Sequence, residues 1–118
     1  MKHQLNLLPT EHRVILAAVR SYRTASLKDG KSYLWKQIDI AYYKLIYSMK
    51  PRLDGMEMII IVKALRRRAN LFMLLKKETE RNLYLELANQ IDLEKQRFQE
   101  QNNPLRKRKT ASAPTLTA

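Results

Sequence analysis

No cysteine occurs among the 118 residues, which excludes disulfides, zinc-thiolate centres and a thiol nucleophile and leaves stability to packing. Glycine is almost as scarce, with two residues, and neither belongs to a glycine-rich phosphate loop. The only histidines are His3, near a terminus expected to fray, and His12, at a helix start. They make no nucleophile–base pair or metal-ligand pattern, so neither an enzyme nor a metal or other cofactor is expected. Long apolar runs are missing too. The greasiest stretch, Met56 to Leu75, is interrupted by Lys63 and by Arg66, Arg67 and Arg68, whose burial in hydrocarbon is prohibitive, so it is not a membrane span. Residues 1 to 9 hold too few apolar side chains for a secretory signal. A cytoplasmic location is expected, or a nuclear one in a eukaryotic host.

Acidic residues are the other shortage: 11 against 23 lysines and arginines, for a net charge of +12. With 45% hydrophobic residues the chain still has the apolar content of a globular domain, so the charge decorates a packed body. The imbalance is uneven. Residues 78 to 101 carry six acidic and three basic groups, while every other segment is basic. One acidic stretch in a basic chain is expected to neutralise a neighbour within the fold, and the remaining surplus favours a polyanionic partner.

The apolar spacing predicts helices. Val14, Ile15, Ala18, Tyr22 and Ala25 recur at three- and four-residue steps after Thr10, read as an N-cap, while Arg13, Arg20 and Arg23 fall outside the stripe. Lys28-Asp29-Gly30-Lys31 reads as a turn. Leu34, Ile38, Ala41, Leu45 and Met49 mark a second helix ended by Lys50-Pro51, and Asp54 with Glu57 three residues on forms a capping box for a third. Beyond it, Met58, Leu65 and Phe72 are spaced by seven, but the later series Tyr84, Ile91 and Phe98 is displaced by five residues. The run from Lys76 to Asn82 has no apolar residue, so the chain is expected to turn there and fold back as an antiparallel hairpin, with residues 63 to 68 opposite Glu86 and Asp92.

Three features are candidate contact sites. Arg66, Arg67 and Arg68 are consecutive, so at about 100° each they sweep roughly 200° of a helix and cannot share one solvent face. Pairing with the acidic helix competes with a role for Lys63, Arg66, Arg67 and Lys77 in contacting phosphates. On the second helix, Tyr33, Lys36, Ile40, Tyr43, Tyr47 and Lys50 lie opposite the Leu34 stripe, where Tyr33, Tyr43 and Tyr47 suit base stacking or a protein interface. After Asn102-Asn103-Pro104, the cluster Arg106, Lys107, Arg108 and Lys109 gives electrostatic affinity for nucleic acid. The stretch Leu8-Pro9-Thr10-Glu11 with Arg13-Val14-Ile15 resembles the opening of the helix-turn-helix region of sigma-factor-like regulators. The connection read here, residues 26 to 32, is longer than that motif's turn, and no function is carried over.

The sequence thus predicts a small all-α four-helix bundle over residues 1 to 101, with helices at about 10 to 26, 32 to 49, 54 to 76 and 81 to 101, and a disordered basic tail over 102 to 118. The expected function is non-enzymatic nucleic-acid binding, DNA or RNA, by an accessory or regulatory protein. The alternative is an adaptor or inhibitor docking its tyrosine-rich face on an acidic protein. A second copy of the chain is a further candidate partner.

Overall fold

The computed structural model of the protein describes residues 2–28, 30 and 32–101, with the side chains of all but Ser32 and Tyr33. The predicted tail, with Arg106 to Lys109, lies outside the described residues. Four helices, α1 Pro9–Lys28, α2 Ser32–Tyr47, α3 Gly55–Leu74 and α4 Glu78–Gln101, form an all-α bundle. Among the described residues, no helix is long and apolar enough to cross a membrane.

Each helix starts for a local reason. α1 begins at Pro9 rather than being capped by Thr10, because proline's fixed φ suits the first helical position and its missing N–H is not needed there. The Glu11 carboxylate then accepts from the Leu8 N–H at 2.9 Å. The capping box at α3 is complete: the Glu57 N–H donates to Asp54 Oδ1 at 2.8 Å, and the Asp54 N–H donates to Glu57 Oε1 at 3.0 Å. Glu57 also ties α2 to α3, since Lys44 Nζ lies 2.8 Å from its Oε1 and 2.7 Å from its Oε2. This pairing is how a carboxylate that is 5% exposed remains in the core.

α3 and α4 pack antiparallel, as the displaced heptads require. Gly55 lies beside Gln99, and the Phe72 and Tyr84 rings stack at 5.3 Å. On that register Leu65 stands level with Ile91 and Met58 with Phe98, so the two heptad series face each other across the hairpin. The turn is made by Leu75 to Lys77, where Lys76 adopts φ 58° and the Lys77 N–H donates to the Phe72 carbonyl at 2.9 Å. α4 consequently starts at Glu78, earlier than the polar run suggests.

α2 turns Ile38, Ala41 and Leu45 into the core with Leu34 half-buried, but Met49 is exposed because the helix has already ended at Tyr47. The link between α1 and α2 is shorter than the sequence suggests, residues 29 to 31. The two helices nevertheless run back along each other, with His12 Nε2 on the Leu45 carbonyl and Arg23 on Asp39, instead of crossing near a right angle as in a helix-turn-helix.

The amino terminus is not frayed. A two-residue strand, β1 His3–Gln4, pairs antiparallel with β2 Arg52–Leu53, and the Leu5 and Leu7 N–H groups donate to the Pro51 and Met49 carbonyls at 3.0 and 3.1 Å. Leu5 and Leu53 are fully buried, so this pairing closes the end of the core. Two residues are too few to display the period-two alternation by which a strand is read.

Candidate nucleic-acid interface

Four interhelical packings decide which cations remain available. Arg23 is tied down between α1 and α2: its Nε donates to Asp39 Oδ1 at 2.6 Å, and its guanidinium lies 5.3 Å from the centroids of both Trp35 and Tyr42. Lys44 is taken up by Glu57. The three consecutive arginines diverge as their helical spacing demands. Arg66 reaches across to α4 and donates to Asp92 Oδ2 at 3.2 Å. Arg67 Nη1 donates to Ser21 Oγ on α1 at 3.3 Å, and Arg68 lies 5.4 Å over the Phe72 ring with its Nε buried and without a partner among the described residues.

The neutralisation of Arg66 holds across the neutral pH range. A hydrogen bond from Lys95, opposed by partial burial and reinforced by the charges of Lys95 and Arg66, keeps the Asp92 carboxyl below its ordinary value of 3.8. The acidic helix therefore does pair with the basic segment, among the described residues through Asp92. Glu86 lies instead with Glu11 in a separate cleft between α1 and α4.

Arg67 and Arg68 turn the other way, into a cleft of about 560 Å³ between α1 and α3. Arg20 and Lys28 of α1 complete a ring of four cations, with the hydroxyls of Ser21 and Thr24 between them and Ala17 and Ala25 as a flat floor. No carboxylate lines the cleft among the described residues. Thr24 donates to the Arg20 carbonyl at 3.1 Å, whereas Ser21 accepts from Arg67 and keeps its own hydrogen to donate. Two further exposed cations share these helix sides by spacing: Arg13, two turns before Arg20 on α1, and Lys63, one turn before Arg67 on α3.

Of the residues singled out from the sequence, Arg67 lines the cleft, and Lys63 stands exposed one turn before it on α3. Arg66 is diverted to Asp92, and Lys77 is exposed at the α3–α4 turn and does not line it. Tyr43 and Tyr47 stand on the outer side of α2, 46% and 82% exposed, with their rings stacked at 6.4 Å; they share no surface with the cleft lining. The Tyr33 side chain lies outside the described residues. Sequence reasoning missed Arg20, Lys28, Ser21 and Thr24. The signal was present in the step of eight from Arg20 to Lys28, on the side of α1 away from its apolar stripe.

Fold and site together define an all-α bundle with a one-signed cationic cleft. The chain matches no known protein family, no curated protein and no solved structure.

Proposed function

We propose that the chain is a small non-enzymatic nucleic-acid-binding protein with an accessory or regulatory role, holding backbone phosphates in the α1–α3 cleft. The observation that carries this reading is the cleft's composition: Arg20, Lys28, Arg67 and Arg68 around two hydroxyls, with no acid among the lining residues. Charge of one sign along a low-dielectric wall focuses potential and raises the local concentration of a polyanion. Guanidinium forks match phosphate oxygens, and serine and threonine hydroxyls are common phosphate partners. Both histidines are occupied structurally, His3 beside Glu94 at 3.4 Å and His12 on the Leu45 carbonyl, which supports a binding rather than a catalytic role.

Titration of affinity against salt tests the reading. Four phosphate contacts are expected to give a log–log slope of about −3 to −4, at roughly 0.7 to 0.9 per contact. A flat response would remove the phosphate interaction.

A second reading, a protein adaptor, is supported by the exposed Tyr43–Tyr47 pair and by the neighbouring cleft of about 360 Å³ between α2 and α3, where Ile40, Met56 and Ile60 are apolar. Exposed Lys36 and Lys50, on α2 and beyond its end, favour an acidic partner. Capture from nuclease-treated lysate distinguishes the two: an adaptor retains a defined acidic partner that Tyr43→Ala/Tyr47→Ala loses, and retention of none eliminates this reading.

A further inference from the structure

The geometry points to double-stranded nucleic acid as the ligand of the α1–α3 face, gripped by the phosphate ridge of the duplex and not by its bases; this rests on the nucleic-acid reading above. Proteins that bind single strands combine cations with aromatic platforms on which unpaired bases stack. Among the described residues the cleft offers arginine, lysine, serine, threonine and alanine, and no aromatic ring lines it. The nearest rings along its helices are turned away: Phe72 lies beneath Arg68 against Tyr84, and Tyr22 packs on the core. The exposed rings among the described residues, Tyr43 and Tyr47, belong to the outer side of α2.

What the face does offer suits a rigid row of phosphates. Arg13, Arg20 and Lys28 follow at steps of seven and eight residues along one side of α1. Rigid helix geometry makes this a cationic row of about 22 Å at about 1.5 Å per residue. A duplex holds the phosphates of each strand at a fixed rise, about 3.4 Å of axis apiece, so a rigid row of cations meets a regular set of them. Lys63 and Arg67, one turn apart, add a second support on α3, and the concave cleft between the two helices receives a convex backbone. A flexible single strand has no fixed phosphate spacing to meet such a row, and its bases find nothing here to stack on. The carboxylates Glu11 and Glu86 gather in the cleft on the α4 side of α1, so the ligand is met from one direction.

The experiment uses the full chain at about 0.1 M salt, with fluorescence anisotropy of a labelled mixed-sequence DNA duplex, the matching RNA duplex, and each separated strand. At least one duplex is expected to bind about tenfold or more tightly than its own strands, since backbone charge density is higher and stacking is absent. Tyr43→Ala/Tyr47→Ala is expected to leave that affinity unchanged. Single strands that bind as tightly as both duplexes, with the tyrosine variant weakened, overturn the duplex assignment while the nucleic-acid reading survives. No binding to any of the four forms overturns both.

Discussion

Reversing two charges in the cleft, Arg20→Glu with Arg67→Glu, is expected to lower nucleic-acid affinity at 0.1 M salt by about sixtyfold or more. The magnitude follows from counterion release: with a slope of roughly 0.9 per phosphate, losing two contacts multiplies affinity by about 0.1 raised to the power 1.8, and the new carboxylates add repulsion. The salt slope itself should fall by about 1.8. Arg20 is exposed, and among the described residues the Arg67 side chain is held by a single hydrogen bond, to the Ser21 hydroxyl, so the variant should remain folded. Arg68 is left in place because it packs on Phe72. The matched control is Lys36→Glu with Lys50→Glu, which removes the same amount from the net charge of +12 on and just past the opposite helix, α2. Anisotropy with all three proteins decides the matter: if the control loses as much as the cleft variant, total charge and not the cleft governs binding.

The largest effect on stability is expected at Leu65. It is fully buried in the middle of α3, the helix that packs against α1, α2 and α4, and stands level with Ile91 across the hairpin. Leu65→Ala removes its buried methyls and leaves a cavity that three neighbouring helices cannot collapse to fill, a loss of about 2 to 5 kcal/mol. That is a large part of the roughly 5 to 15 kcal/mol typical of a folded domain. With a denaturant slope near 1 to 3 kcal/mol per molar, the urea midpoint should drop by about 1 to 2 M. Tyr47→Ala, at a position 82% exposed, should change stability by less than about 0.5 kcal/mol. A shift at Leu65 no larger than that at Tyr47 would mean that α3 is not the centre of the bundle.

Much of the architecture was legible because it depends on neighbours in sequence. Asp54 and Glu57 cap α3 through a contact three residues long. The apolar gap at Lys76–Asn82 marks the turn, since no residue there can continue a core stripe. The two heptad series face one another across that turn, as the Phe72–Tyr84 stack records. Where local signals competed, the reading slipped: Pro9 displaced Thr10 at the start of α1, and Met49, on the α2 stripe by spacing, lies beyond the helix end. The pairing of β1 with β2 left no mark because it involves two residues on each side.

The candidate site was only half legible. Its α3 members could be picked out as a basic cluster, and the divergence of Arg66 from Arg67 follows from a 100° step. Its α1 members left only the step of eight from Arg20 to Lys28, and that spacing becomes a lining only where α1 packs beside α3.

Spacing, caps and composition were enough by themselves to establish four helices, the fold-back after α3 and a large cationic surplus, since each depends on forces acting within a turn or two of chain. Which cations stay available was decided by packing alone. Arg66 meets Asp92 across 26 residues and Arg23 meets Asp39 across 16, while Arg20, Lys28, Arg67 and Arg68 converge with no carboxylate among them. Neutralisation is a contact interaction, strong at 3 Å and screened within a few turns, so it follows the neighbours that the tertiary fold assigns.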